Sequence, residues 1–253
     1  MLRLAASFLL LVAFAGSRSV SAQQITYPTS ERGDVVENYS GHDVADPYRW
    51  MEELDSPTTK AWVEAQDAVT FGYLATLPQR EAIRERLTAL WNYPRTQVPV
   101  REAGRLFYRR NSGLQKQSVL YRQASLTAEP EPILDPNSLS PDGSLAVAGW
   151  SMSPDGRFLA YTTAEGGSDL QDIRIRDLKT GRDLDETVQR IKFTGISWTH
   201  DSRGFYYARF AGSRGAANLQ DRNTFHQAWY HTIGASEERL VFDRPGQPDD
   251  GVG

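Results

Sequence analysis

A tight turn and the strand after it are encoded in one stretch, Ser153-Pro154-Asp155-Gly156-Arg157-Phe158-Leu159-Ala160-Tyr161. Proline presets φ at the second position of a turn, aspartate bonds the local backbone, and glycine takes the left-handed position that follows. We therefore predict a strand over residues 157–163. The same kind of turn, Ser140-Pro141-Asp142-Gly143, precedes a second predicted strand over 145–149. Further along, residues 173–178 alternate in polarity and then reach another turn at Lys179-Thr180-Gly181.

A weak internal repeat surrounds this stretch. Gly104-Arg105-Leu106-Phe107-Tyr108 and Arg203-Gly204-Phe205-Tyr206-Tyr207 both resemble residues 156–161. The spacing is roughly 50 residues, the length of one four-stranded propeller blade. The pattern predicts a mainly β fold and favours an incomplete β-propeller of about three blades, with a stacked sandwich as the alternative. Because propellers usually have four to eight blades, such an array leaves strand edges and blade faces uncovered.

The segment before the strands has a helical pattern. An extended run reaches about Tyr39, and helical spacing then continues to about Tyr93. Pro78 separates two helices, and Pro94 ends the second. Each helix carries one apolar stripe that must dock on another surface; the stripes are Trp62, Ala65, Val69 and Tyr73 in the first helix, and Ile83, Leu87 and Leu90 in the second.

Two helix starts are predicted in Asp46-Pro47-Tyr48-Arg49-Trp50-Met51-Glu52-Glu53-Leu54-Asp55-Ser56 and the proline after it. Asp46 before Pro47, and Ser56 before Pro57, each place a capping side chain ahead of a proline at the first helical position.

The first 22 residues have the pattern of a secretory signal peptide. Arg3 supplies the positive end, residues 4–16 form a short apolar run, and Val20-Ser21-Ala22 is a small-residue cleavage site. We expect cleavage after Ala22, export to the periplasm or the extracellular space, and no membrane attachment afterwards; a retained membrane anchor is the alternative. The predicted organisation is a signal peptide (1–22), an N-terminal helical extension (23–96) and a partial β-propeller truncated at its C-terminus (97–253).

The 253 residues carry a formal net charge of −4 and no cysteine. The charge gives no reason to expect a nucleic-acid partner, and the absence of cysteine excludes disulfides and thiolate chemistry. We expect no metal site and no cofactor, because His226 and His231, five apart in a predicted strand, should lie on opposite faces.

The residues themselves provide no credible catalytic set. Ser213, in Ala211-Gly212-Ser213-Arg214-Gly215, departs from the nucleophile elbow G-x-S-x-G, and we interpret this stretch as a loop between strands. The adjacent acids Glu52 and Glu53 point in different directions on a helix, and Asp249 and Asp250 lie in a terminal loop. No catalytic residue is therefore predicted within this chain.

Several of these stretches, in this order, resemble the N-terminal part of the prolyl oligopeptidases, serine peptidases that cut short peptides after proline. The similar stretches are Tyr39 to Trp50, Leu134-Asp135-Pro136-Asn137 with the turn at 140–143, Ser153 to Asp169, and Arg190 to Asp201. The resemblance implies a seven-bladed propeller that covers an α/β-hydrolase domain, which carries the catalytic serine, aspartate and histidine and is missing from this chain. It also implies that the helices dock on that hydrolase domain, and that the partners of the full enzyme are short proline-containing peptides.

The resemblance further implies one substrate-binding residue. Phe193, in Lys192-Phe193-Thr194, matches the context of a propeller phenylalanine that reaches the substrate pocket; an ordinary aromatic of the blade core is the alternative. Three further interpretations of the chain stay open. It could be a non-catalytic propeller-like binding module, a fragment of an oligopeptidase B-like enzyme, which cuts after lysine or arginine, or a non-functional fragment.

Overall fold

The computed structural model describes residues 25–140, 142–211, 223–235 and 237–251. The predicted signal peptide and Ser213 lie outside these ranges. The chain divides into two compact units, with the division between Glu85 and Arg86. Within the described ranges, no helix is both long enough and apolar enough to cross a membrane.

The first unit contains a β-hairpin formed by β1 (Val36–Tyr39) and β2 (His42–Ala45). Its two turn residues, Ser40 and Gly41, both have positive φ, 52° and 90°, as the favoured two-residue hairpin turn requires. The side-chain oxygen of Asn38 accepts the N–H of Gly41 and stabilises the turn. The predicted onset of helix at about Tyr39 is therefore wrong, because this turn returns the chain as a second strand.

A short 3₁₀ helix (Arg49–Glu52) and two α-helices, α1 (Pro57–Ala75) and α2 (Arg80–Trp91), follow. The Ser56 cap is confirmed, since its Oγ accepts the N–H of Thr59 at 3.1 Å and Pro57 is the first helical residue. The Asp46 cap is wrong. The 3₁₀ helix begins after Tyr48 without a side-chain cap, and the Asp46 carboxylate instead accepts from Arg49 Nε at 2.6 Å.

The second unit contains three antiparallel sheets, each with strands in sequential order. We call them blades 1, 2 and 3. Blade 1 comprises β3 (Arg95–Thr96), β4 (Val100–Glu102), β5 (Arg105–Asn111), β6 (Val119–Gln123) and β7 (Glu131–Leu134). Blade 2 comprises β8 (Leu145–Met152), β9 (Phe158–Glu165), β10 (Gln171–Asp177) and β11 (Arg182–Ile191). Blade 3 comprises β12 (Ser197–Trp198), β13 (Gly204–Phe210), β14 (His226–Thr232) and β15 (Glu238–Phe242). In blade 1, β3 and β4 pair with successive lengths of β5 and together take the place of one inner strand.

The internal repeat marks the same strand in every blade. Its three copies coincide with β5, β9 and β13, which are the central strands that follow the inner strand of each sheet. The predicted mainly β fold with about three blades is thereby confirmed.

The blades pack face to face through two hydrophobic clusters, and β9 contributes to both. Leu159 and Tyr161 belong to the cluster shared with blade 1, whereas Phe158 and Ala160 belong to the cluster shared with blade 3. All four side chains are buried, because successive residues of a strand point to opposite faces and both faces of blade 2 are covered.

The predicted Ser-Pro-Asp-Gly turn at 153–156 and the turn at 199–202 share one hydrogen-bond pattern. Asp155 Oδ1 accepts both the Ser153 hydroxyl at 2.6 Å and the N–H of Arg157 at 3.0 Å. In blade 3, Asp201 Oδ1 accepts the Thr199 hydroxyl and the N–H of Arg203 in the same way. The turn is thus built on its aspartate, with a hydroxyl residue two positions earlier.

Candidate substrate-contact site

Phe193 lies on the connection that leaves blade 2 after β11 and enters blade 3 at β12. Its side chain is 65% exposed and belongs to neither of the two hydrophobic clusters. Its backbone has φ 51°, in the left-handed region that residues with a Cβ rarely adopt. Phe193 thus combines an exposed aromatic ring with a sparsely populated backbone conformation.

The residues on either side of Phe193 are tied to blade 3. The Thr194 hydroxyl oxygen accepts the N–H of Ala208 on β13 at 2.7 Å. Lys192, which is buried, donates from Nζ to Asn223 Oδ1 at 3.3 Å. These two contacts fix the connection against the β13–β14 end of the blade, so the exposed ring projects from a held backbone.

The Phe193 ring contacts Phe210 edge-on, with centroids 6.5 Å apart and planes at 81°. Phe210 in turn stacks on His226, with centroids 4.6 Å apart. Burial lowers the pKa of His226, which favours the neutral form of the imidazole that stacks on Phe210. The sequence pattern does not identify Phe210 or His226 as parts of a site, because the contact joins residues that are distant along the chain.

The two histidines of β14 lie on opposite faces, as their spacing predicted. His226 is paired with Phe210 and stacks on it, whereas His231 is paired with Phe205 and packs at 5.1 Å from its ring. Within the described ranges, no group of three or more histidine or acidic side chains could hold a metal ion. Asp250, one of the two acids in the C-terminal loop, forms an ion pair with Arg244.

A concave region separate from Phe193, here called the blade 2/3 pocket, has a volume of ≈ 740 Å³ and lies between β11 and blade 3. Its polar lining includes Glu186, Arg190, Arg209, His231 and Glu238. Arg209 and Glu238 form a buried ion pair at 2.6 Å. No sequence pattern indicates this pocket, because its walls come from strands of two different blades.

The comparisons with known proteins agree with this architecture. The family model described as "Prolyl oligopeptidase, N-terminal beta-propeller domain" matches residues 27–253. This chain belongs to the prolyl oligopeptidase family. It is 35% identical over 231 residues to a prolyl endopeptidase of Elizabethkingia miricola, covering 90% of this chain and 32% of that protein. It is 32% identical over 278 residues to prolyl oligopeptidase A of Amanita bisporigera, covering 94% of this chain and 36% of that one.

Solved structures of prolyl oligopeptidases have the same fold. One, from a structural and mechanistic analysis of two prolyl endopeptidases, matches with a TM-score of 0.77 at 30% identity, covering 87% of this chain and 33% of the other. Prolyl oligopeptidase B of Galerina marginata, bound to a 25mer macrocyclization substrate, matches with a TM-score of 0.72 at 29% identity, over 87% and 34% of the two chains. The chain therefore spans about a third of the length of the prolyl oligopeptidases it matches, and the matched part is their N-terminal propeller region.

Proposed function

We propose that this chain is the N-terminal propeller portion of a serine-type endopeptidase that cleaves short peptides after proline. The observation that carries the proposal is the match of residues 27–253 to the propeller domain of a family whose similar members are prolyl endopeptidases. The chain by itself would be inactive, because its residues offer no credible nucleophile, base and orienting acid.

The proposed catalytic groups belong to an α/β-hydrolase domain that acts together with this chain. There, a serine would attack the carbonyl of the bond after proline, with histidine as the base and aspartate orienting it. The apolar stripe of α2 supports such a partner, since Ile83, Leu87 and Leu90 are each about half exposed. An apolar helix face of this kind is stabilised when another surface covers it.

In this arrangement the propeller restricts access to short peptides, and Phe193 provides apolar surface for the bound peptide. Its exposure and its edge contact with Phe210 support that role. The proposal also includes export of the enzyme, for which the pattern of residues 1–22 is the support.

The proposal is tested with the complete gene product and two short chromogenic peptides that differ only in having proline or arginine before the scissile bond. We expect cleavage of the proline peptide and little of the arginine peptide. Preference for arginine would indicate an oligopeptidase B-like enzyme, and cleavage of neither would contradict the peptidase function. As a control, the chain of residues 23–253 alone should cleave neither; proline-specific cleavage by it that is lost on Ser213→Ala would overturn our interpretation of Ser213.

The role of Phe193 is tested with Phe193→Ala in the same complete product. Full burial of an apolar side chain contributes about 1.5–3 kcal/mol, and half of that corresponds to roughly a three- to tenfold change in binding. We therefore expect KM for the proline peptide to rise about three- to tenfold, with kcat and thermal stability little changed. Leu126→Ala, which removes another strongly exposed apolar side chain, should leave KM unchanged. Equal losses of stability and activity would instead make Phe193 a packing residue.

A further inference from the structure

Three consecutive residues of the blade 2 to blade 3 connection each contact a different residue of β13 or of the segment just before β14. Lys192 is bound by Asn223, the Phe193 ring by Phe210, and Thr194 by the N–H of Ala208. A residue with a Cβ stays at a positive φ only when its surroundings determine that conformation. The contacts of residues 192, 193 and 194 hold the backbone of Phe193 at its positive φ.

The ring contact differs from the other two because it sets the direction of a side chain. Phe210 is the last residue of β13 and His226 the first residue of β14, and the two form a cross-strand pair. Their rings are stacked, with an angle of 26° between planes. Since His226 is buried, its ring is a fixed stacking neighbour of the Phe210 ring, and the Phe193 ring packs edge-on against Phe210.

We propose that Phe210, supported by His226, is a positioning residue for substrate recognition: it fixes the orientation in which Phe193 is offered to the peptide. That Phe193 binds the peptide rests on the proposed function. That Phe210 orients Phe193 rests on the ring contacts alone. Phe210 acts through Phe193 and is not itself placed in contact with substrate. Its removal leaves Phe193 present but able to change rotamer and backbone conformation.

The test uses the complete gene product with Phe210→Ala, Phe210→Tyr and the control Tyr206→Ala. Tyr206 lies on the same face of β13, four residues earlier, and contacts Tyr230 instead of Phe193. Loss of one edge-on aromatic contact corresponds to about a two- to tenfold change in a binding constant. We therefore expect Phe210→Ala to raise KM by that factor with kcat unchanged. Phe210→Tyr keeps the ring and should restore the wild-type KM, and Tyr206→Ala should leave it unaltered. An equal rise in KM for Phe210→Ala and Tyr206→Ala would overturn the inference.

A second measurement separates this inference from the proposed function. Amide hydrogen exchange of residues 192–196 should be faster in Phe210→Ala than in the wild type, because the connection loses the contact between the Phe193 and Phe210 rings. Unchanged exchange in Phe210→Ala, together with a raised KM in Phe193→Ala, would overturn the positioning role and leave the proposed function intact. Faster exchange in Phe210→Ala, with KM unchanged in Phe193→Ala, would overturn the substrate role of Phe193. Should Phe210→Ala fail to fold, Phe210→Leu keeps apolar volume without the ring, and the same outcomes apply.

Discussion

His231 is a buried polar residue with little support from its neighbours. Its side chain is on β14, and neither ring nitrogen has a hydrogen-bond partner within the described ranges. Glu186 Oε1 lies 3.7 Å from His231 Nε2, across the boundary between blades 2 and 3. Glu186 is itself held by the N–H of Gly234, which its Oε2 accepts at 2.8 Å. A buried polar group without a hydrogen-bond partner reduces stability, so an apolar residue in place of His231 is not expected to destabilise blade 3.

We predict that His231→Leu leaves blade 3 as stable as the wild type or more so. Leucine removes the unpaired nitrogens and keeps apolar contact with Phe205, whereas His231→Gln, the matched control, retains polar atoms that need partners. The measurement is the free energy of local opening of β13 to β15 from native-state hydrogen exchange. A loss of about 1–3 kcal/mol in His231→Leu would contradict the prediction, since it would mean that the imidazole is stabilised by Glu186, by water or by a ligand in the blade 2/3 pocket.

At the scale of the element, the turns of neighbouring blades are aligned and touch. The N–H of Asp155, in the blade 2 turn, donates to Ser202 Oγ in the blade 3 turn at 3.1 Å. A Cβ on Gly156 would lie 2.9 Å from the Cβ of Ala103, next to the corresponding turn of blade 1. The repeat in the sequence thus corresponds to a line of contacts from one blade to the next.

Similar glycines of the repeat serve different purposes. Gly104 and Gly156 have φ of +73° and +72° in their turns, whereas Ser202 takes the left-handed position in blade 3, with φ 59°. Gly204 is instead the first residue of β13, where a Cβ would lie 2.1 Å from the carbonyl oxygen of His231. It is required by the close approach of β14, which the sequence pattern does not reveal.

We therefore predict that Gly204→Ala destabilises blade 3 by about 1–3 kcal/mol, because the strand pair must separate to accommodate the methyl group. Gly195→Ala is the matched control: nothing lies within 4 Å of its Cβ position, and its effect should be within about 0.5 kcal/mol of zero. Native-state hydrogen exchange of β13 and β14 measures both. Similar losses of stability in the two variants would contradict the prediction, since they would show that β14 moves to accommodate the methyl group without destabilising the blade.

At the scale of the whole molecule, the blades were predictable and the contacts between them were not. Period-two alternation and the aspartate turns are local signals, so the strands around residues 145–163 and the blade count followed from them. The hairpin at 36–45 was missed because a Ser-Gly turn is a weaker signal than Asn-Gly or Asp-Gly. The Phe193–Phe210–His226 contact and the blade 2/3 pocket join residues of separate strands, and no periodicity reports on such pairs.

The substrate role of Phe193 came from the family resemblance and remains a prediction. What the structure adds is the physical basis on which it can be tested: the ring is exposed, its backbone is at positive φ, and the residues on both sides are attached to blade 3.

The central claim is that this chain works as the propeller portion of a larger serine peptidase. The most direct measurement is to capture the native protein from its source cells with an antibody against residues 25–251, and to determine its mass and its labelling by a fluorophosphonate probe, which reacts with catalytic serines. Because the chain covers 32% of a similar prolyl endopeptidase, we expect a labelled species with roughly three times the 28.4 kDa mass of this chain. An unlabelled species near 28.4 kDa would contradict it.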